Sequence, residues 1–446
     1  MYIGNAVAYR TYDLFSGKKS ILFNTTTRQY MFLEGLSSEL FDLLVNHSLS
    51  TEWLISKELD EADVSDFVAT LTNFGISATK SLSLTTPQIP TQIDGEDESK
   101  FNPVLSNFQK ELTKNGLYYF FHIDLTNRCN EKCIHCYHPF EKYDYSKELS
   151  TEDVKELINS IYDLGVFAVT LSGGEALLRD DFFDILKYIS EKGMVTTVFT
   201  NGLLLTEDVV KQLNEYRVDK VSISIYGDTP ELHDSITTVK GSFKKTLSGV
   251  SLLQKYSINF ELKCVVLAEN IDSVKAIDQL SKELNQGRPC KIDFSLCGKV
   301  DGSTEPFNHR APDEKVKQVF YSDPNRYMGK PDELKRTPND PPCYAGKFGL
   351  YCSADGNIYP CVSFRLLLCH FRELQSIGSN PVLKEWAGTK ISDFSDCFKH
   401  DYCNYCSEQC AANNLIENGD YHISKITQCD RARIVQAWFE TNALDK

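Results

Sequence analysis

Residues 123–139 read IDLTNRCNEKCIHCYHP. An apolar run passes into a loop offering Cys129, Cys133 and Cys136, with three and then two residues between them. Three thiolates on one loop can hold three irons of a cubane, and with no fourth cysteine close by the last iron stays open for a ligand. A closed four-thiolate site suits structure or electron transfer, whereas an open position lets the metal do substrate chemistry. Spacing alone also fits a zinc knuckle, so the surroundings of the loop decide.

Outward from that loop, Tyr118 to about Gly298 alternates β, α, β, α, which predicts a parallel sheet with crossover helices. The expected strands are Tyr118 to Leu125, Ala168 to Leu171, Val195 to Thr200, Lys220 to Ile225, Phe260 to Leu267 and Lys291 to Ser295. A helix over Thr151 to Leu164 is opened by Ser150, with Asp153 three residues on as a variant capping box. Six such units closing part-way make a partial (β/α)6 barrel within an α/β fold, and chemistry then belongs at the C-terminal ends of the strands. Cys129 follows the first strand, where that rule wants it.

Further motifs follow the next strands. Ser172, Gly173, Gly174 and Glu175 end the second, Asn201 and Gly202 follow the third, and Ser222 and Ser224 share one face of the fourth because side chains alternate along a strand. Each alone is ordinary strand-end chemistry, and a Gly-Gly pair commonly marks a tight turn. Together with Cys-x3-Cys-x-His-Cys, in which His135 fills the usual aromatic slot, they resemble the radical-SAM superfamily over residues 118 to 298. The resemblance implies a [4Fe-4S] cluster on Cys129, Cys133 and Cys136. It also implies S-adenosylmethionine contacted by His135, Ser172, Gly173, Gly174, Glu175, Asn201, Ser222 and Ser224. An electron from a reductant such as flavodoxin or ferredoxin would cleave that cofactor to a 5′-deoxyadenosyl radical, which takes hydrogen from a substrate.

Toward the C-terminus come Cys343, Gly356, Cys361, Cys397, Cys403, Cys406, Cys410 and Cys429. The order resembles the SPASM extension of radical-SAM enzymes, although Cys403-x2-Cys406 alone would fit zinc equally well. That resemblance implies two auxiliary [4Fe-4S] clusters, three clusters in all: Cys343, Cys361 and Cys410 with Cys352 as candidate fourth ligand, and Cys397, Cys403, Cys406 and Cys429. The central spacing is Cys-x5-Cys-x2-Cys-x3-Cys, with the family's first two gaps exchanged. Weak apolar periodicity after residue 300 assigns the stability of this segment to metal coordination. Cys264, Cys290, Cys297 and Cys369 read as small buried hydrophobes. Cys297, just past the sixth strand, has a sharper alternative as a hydrogen-atom donor, in likeness to peptide epimerases of the superfamily.

Residues 1–78 show three alternating runs, Val7 to Tyr12, Ser20 to Phe23 and Gln29 to Leu33, then three helical stretches. Ser37 or Ser38 is expected to cap the first helix, Ser50 the second and Asp63 the third, which Gly75 ends. This winged-helix pattern would suit DNA, but residues 1–100 carry 7 basic residues against 14 acidic, poor for contacting phosphates. The unit instead resembles the RiPP recognition element, which captures leader peptides of ribosomally made, modified peptides. The likeness lies in NTTTRQYMFLEGLSSELFDLLV and implies a leader adding a strand along Gln29 to Leu33, beside the third helix. Residues 79–105 read as a mobile linker, 106–300 as the barrel, 301–342 as a bridge and 343–446 as the SPASM domain.

The net charge of -15 disfavours nucleic acid and anionic membranes, and no apolar run is long enough to span a bilayer. Without an export signal the chain is expected in the cytoplasm. There its 15 cysteines, an odd number, favour metal or catalysis over disulfides. The combined expectation is a peptide maturase that tethers a precursor by its leader and installs an intramolecular thioether. Carbon-carbon or carbon-oxygen macrocyclisation and epimerisation are the alternatives within that architecture, and an iron-sulfur redox-sensing regulator is the alternative outside it.

Overall fold

The computed structural model describes residues 2–3, 7–25, 27–77, 103–138, 143–328, 337–395, 397, 399–406, 410–423 and 426–443. Near the N-terminus, β1 (Val7–Leu14), β2 (Gly17–Asn24) and β3 (Gln29–Glu34) form an antiparallel sheet in that order. Next come α1 (Leu36–Val45), α2 (Thr51–Ser56) and α3 (Glu61–Phe74). Ser50 caps α2 through Trp53 N as expected, and Gly75 ends α3 at φ 109°, a left-handed conformation that glycine adopts without strain.

Two expected caps shift. Gly35 starts α1 without a side-chain cap, because Ser38 is buried against the Ser20 hydroxyl at 2.7 Å and Ser37 bonds back to Glu34 O. Asp60 starts α3, and Asp63 is the third residue of its capping box.

Alternation gives the sheet two apolar faces. Val7, Leu22 and Leu33 pack with Phe41 of α1 and Leu71 of α3, while Ala8, Tyr12, Ile21 and Phe23 share a core with Phe108, Tyr119, Phe167 and Val195. The last three lie at or beside the starts of barrel strands. Arg28 pairs with Asp219, Tyr12 Oη donates to Gly165 O at 2.8 Å, and Arg10 reaches the carbonyls of Tyr162 and Val166. The N-terminal sheet is thereby bolted to the barrel's N-terminal end. Residues 79–102 of the expected linker lie outside the described residues, and from 103 the chain is already helical in α4 (Pro103–Lys114).

The barrel comprises β4 (Phe120–Thr126), α5 (Thr151–Asp163), β5 (Ala168–Gly173), α6 (Phe182–Glu191), β6 (Val195–Thr200), α7 (Glu207–Glu215), β7 (Val218–Ser224), α8 (Pro230–Thr237), α9 (Ser242–Lys255), β8 (Phe260–Val265), α10 (Val274–Leu284) and β9 (Lys291–Asp293). Ser150 and Asp153 close the capping box of α5 as the sequence predicts. The parallel sheet does not stop at these six strands. β10 (Gly349–Cys352) pairs in parallel with β4, and β11 (Asn357–Tyr359) and β12 (Cys369–His370) continue antiparallel beyond it.

A Cβ on Gly349 would lie 2.6 Å from Phe120 ring and carbonyl atoms, so only glycine lets β10 approach. Leu350, Ile358, Phe364, Phe371 and Trp386 are buried in the same core as Phe121 and Ile123. Beside the metal coordination expected to stabilise it, the cysteine-rich segment shares the barrel's apolar core.

Phe121, Ile123, Leu171, Val198, Ile223 and Leu262 face the helices, so the alternate residues face the barrel interior. That interior is polar and ion-paired. Glu261 meets Lys220 and Lys291 at 3.3 and 3.4 Å, Lys263 sits 4.3 Å from the Phe199 ring centre, and Tyr351 donates to Asp124 at 2.6 Å.

Candidate functional site

Beyond Thr126 the cysteine loop is held by its backbone. Lys132 N and Ile134 N donate to Thr237 and Ile236 carbonyls at the end of α8, and a turn joins Cys136 N to Cys133 O at 3.0 Å. Amides point at sulfur: Glu131 N at Cys129 Sγ and His138 N at Cys136 Sγ, both at 3.5 Å, with Asn201 Nδ2 3.9 Å from Cys129 Sγ. Burial, reinforced by neighbouring acidic groups, raises the Cys129 thiol to about 12 and the Cys136 thiol to about 11, and pushes Cys133 well up. These groups become thiolates only when a cation compensates their charge.

Among the described residues no group of three or more Cys, His, Asp or Glu is gathered as the ligands of one ion. Buried polar atoms beside the thiols are nevertheless unsatisfied: Glu131 Oε1 and His135 Nδ1 have no hydrogen-bond partner. Burial raises Glu131 to about 8 and lowers His135 to about 4, so both are neutral near pH 7. Neutral unsatisfied polar groups next to three half-buried thiols fit a metal cluster carrying a polar organic ligand.

The glycine pair serves the loop directly. Gly173 has φ 131°, and a Cβ there would strike Thr126 O; a Cβ on Gly174 would strike Arg128 O and lie 2.7 Å from Arg128 C. Gly174 N donates to Thr126 O at 2.7 Å and Glu175 N to Arg128 O at 2.8 Å, so the end of β5 carries the backbone leading into Cys129.

Glu175 is fully buried and accepts from Leu177 N, Asn201 N and the Thr200 hydroxyl at 2.8–3.1 Å. Burial still holds it up at about 7, against those donors. Asn201 continues the chain by donating to Asn130 Oδ1 at 2.6 Å. The interior face of β7 carries Ser222, which donates to Glu261 at 2.5 Å, and Ser224, which hydrogen-bonds Tyr226. Tyr226 in turn meets the His135 ring edge-on at 4.7 Å.

Sequence reasoning missed Glu131, Thr200 and the cluster of Asp124, Tyr351 and Arg365. Glu131 could have been found from its place inside Cys-x3-Cys. Arg365, with its guanidinium 4.6 Å from the Tyr351 ring centre and 5.2 Å from that of Tyr359, had no local signal.

The later cysteines sort into groups. Beyond burial, the Cys410 thiol is raised by Cys297, Cys361 and Cys343. The Cys429 thiol is raised by burial and then by Cys397 and Cys403. Cys406 lines, with Cys410, Asn413, Arg326 and Arg431, a cavity of about 210 Å³ beside β9. Cys352 is fully buried in the barrel wall, where its neighbours in charge are Asp355, Asp124 and Cys369. Cys264 and Cys290 are core residues.

Residues 123–280 match the family model described as the Radical SAM superfamily. They form a radical SAM domain. Membership of that superfamily implies S-adenosylmethionine and one [4Fe-4S] cluster. Over 161 residues the chain is 34% identical to an AdoMet-dependent heme synthase of Methanosarcina barkeri, covering 36% of this chain and 46% of that protein. It is 27% identical over 324 residues to the antilisterial bacteriocin subtilosin biosynthesis protein AlbA of Bacillus subtilis, covering 68% of this chain and 69% of that protein. The chain thus spans about half the length of the first curated relatives it matches, and more of AlbA. In fold it resembles Streptococcus suis SuiB bound to the precursor peptide SuiA, with TM-score 0.63, 16% identity and coverage of 96% of this chain and 99% of that one. Among the described residues no helix is long and apolar enough to cross a membrane.

Proposed function

We propose that the chain is a radical SAM peptide maturase that holds a precursor by its leader and forms a thioether within its core. Cys129, Cys133 and Cys136 hold the SAM-binding cluster in this reading, and the later cysteines hold two auxiliary clusters. The observation that carries it is the pairing of two features: three half-buried thiols at the mouth of a polar barrel, and an N-terminal sheet whose β3 edge pairs only with β2 among the described residues. An unpaired edge is a template for an added peptide strand, and likeness to AlbA and SuiB supports a peptide partner.

Cys129, Cys133 and Cys136 would hold the cluster, which with S-adenosylmethionine would supply radical chemistry when given an electron by a flavodoxin or ferredoxin. The chain's own residues do the rest. Gly173 and Gly174 let β5 brace the cysteine loop. Glu175 ties β5 to β6 and orients Asn201. Glu131 places a carboxyl beside the thiols, and His135 an acceptor or donor according to its tautomer. Ser222, Glu261 and the three interior lysines give the barrel polar contacts for the cofactor and the peptide core.

The test uses the whole chain, reconstituted anaerobically, with a precursor peptide that carries a leader and a cysteine in its core. Cys129→Ala/Cys133→Ala/Cys136→Ala should abolish formation of 5′-deoxyadenosine while leaving leader affinity unchanged, and the wild type should lower the mass of the peptide by two hydrogens. Cleavage surviving in the triple variant would overturn the site, and a product of unchanged mass would replace cross-linking by epimerisation.

A further inference from the structure

We propose that Lys132, Lys240, Lys244 and Lys245 form the docking surface for an acidic one-electron carrier protein, the partner that reduces the SAM-binding cluster. The inference rests on the maturase reading above and gives its reductant a place to bind. The four lysines come from two stretches that the fold staples together. Lys132 lies inside the cysteine loop, between Cys129 and Cys133. Its N donates to Thr237 O at 3.2 Å, the Thr238 hydroxyl donates to Lys132 O at 3.0 Å, and Ile134 N donates to Ile236 O at 3.0 Å. The end of α8 and the turn into α9 therefore cover the outside of the loop. That turn carries Lys240, and Lys244 and Lys245 follow in the first turn of α9. All four residues are exposed, and among the described residues none of them has an ion-pair partner.

This charge stands against the rest of the chain. The net charge is -15, and lysines such as Lys18, Lys255 and Lys315 are matched by carboxylates. The acidic residues beside the patch are engaged elsewhere or distant. Glu131 is buried and turned to Cys133 Sγ at 3.6 Å, and Asp234 accepts from Gly241 N, Phe243 N and the Ser242 hydroxyl. Glu231 stands at the far end of α8. Local stability does not account for the lysines either. Acidic side chains favour the positive end of a helix, and α5, α7 and α8 open on them, whereas α9 opens with none and places Lys244 and Lys245 there.

Electron transfer weakens steeply with separation, so a carrier must seat on the shell nearest the cluster. An acidic carrier is repelled by the net charge of the chain and drawn to this one face, so complementary charge steers the encounter to the loop that holds the thiols. In the step itself the reduced carrier gives up one electron and the cluster takes it, with no bond made or broken.

The experiment uses the whole chain and a purified acidic flavodoxin. Lys240→Glu/Lys244→Glu/Lys245→Glu reverses three charges without touching the cysteine loop, and it puts acids at the start of α9, where they favour the helix. Lys187→Glu/Lys275→Glu/Lys384→Glu, at exposed positions of α6, α10 and the helix Pro381–Gly388, matches the change in net charge. Flavodoxin binding to the iron-free chain is measured by calorimetry at low and high salt, and 5′-deoxyadenosine formation by the reconstituted chain is timed with flavodoxin and with dithionite. The first variant should lose roughly 10-fold or more in flavodoxin affinity and flavodoxin-driven rate. Its gap from wild type should close as salt rises, and its dithionite-driven rate should equal that of the wild type. The second variant should match the wild type throughout. Unchanged affinity and flavodoxin-driven rate in the first variant, or an equal loss in both variants, would overturn the docking surface. So would a loss of precursor affinity in place of flavodoxin affinity, which gives the patch to an acidic stretch of the peptide. A wild-type chain that forms no 5′-deoxyadenosine with dithionite would sink the radical reading instead, on which the binding measurement does not depend.

Discussion

Gly174→Ala is the sharpest probe of how the radical SAM domain holds its cysteine loop. The added Cβ would sit 2.7 Å from Arg128 C and 2.9 Å from Asn127 O, with Arg128 O nearer still. These are backbone atoms that cannot swing aside. Restoring the 3.4 Å of ordinary contact requires a shift of about 0.7 Å from Arg128 C and about 1 Å from its oxygen. Overpacking of this kind costs about 1–3 kcal/mol, and about 2 kcal/mol lowers the melting temperature by roughly 4–8 °C in a domain of this size. Because the displaced segment ends at Cys129, a misplacement of about 1 Å also predicts roughly 100-fold slower cleavage of S-adenosylmethionine. Melts should be run anaerobically on iron-free protein, with Gly378→Ala as control, since a Cβ there meets nothing within 4 Å. If Gly174→Ala melts with the wild type and only its cofactor affinity falls, the glycine serves the ligand and not the loop, and the bracing argument is wrong.

Two further variants test stability. Asp234 starts from a carboxyl that burial raises, but the amides of Phe243 and Gly241 and the Ser242 hydroxyl outweigh burial and hold it below the ordinary Asp range. Its contribution is therefore present above the unfolded value of about 4 and is lost as pH falls through the lower folded value. Asp234→Asn should cost about 1 kcal/mol at pH 7, and the gap from wild type should close in acid, read by urea melts across pH; a gap independent of pH would refute the charge argument. Trp386 is fully buried, packs on Phe364 and Tyr421, and donates Nε1 to Ala345 O at 2.7 Å, two residues from Cys343. Trp386→Ala should cost about 3–5 kcal/mol and loosen the Cys343 segment, seen as faster iron loss to a chelator.

Much of the barrel is written locally. The starts at Ala168, Val195, Phe260 and Lys291 and the capping box of Ser150 follow from periodicity and caps, and strand alternation alone puts Ser222 and Ser224 on one face. What escaped the sequence is long-range. β10 is four residues long and pairs with β4, and Tyr351 reaches Asp124 across 227 positions, so no local period announces it. That pairing also buries Cys352 in the barrel wall. The caps of α1 and α3 were misread because serine and aspartate serve equally well inside the first turn, where Ser38 is drawn to Ser20 and Asp63 completes a box begun by Asp60.

The shared core between the N-terminal sheet and the strand starts turns the barrel into a measuring rod. Tyr12, Phe23, Tyr119 and Phe167 lock the sheet to one end, while the cysteine loop opens at the other. On the proposed maturase reading, a peptide strand docked on β3 would climb the height of β4, seven residues, or roughly 23 Å at about 3.3 Å per residue. An extended chain needs at least about seven residues to cover that span. On the proposed maturase reading, the distance between docking strand and first modified residue would be set by the scaffold and not by the chemistry, and a precursor could vary its sequence between those two points as long as it kept the length.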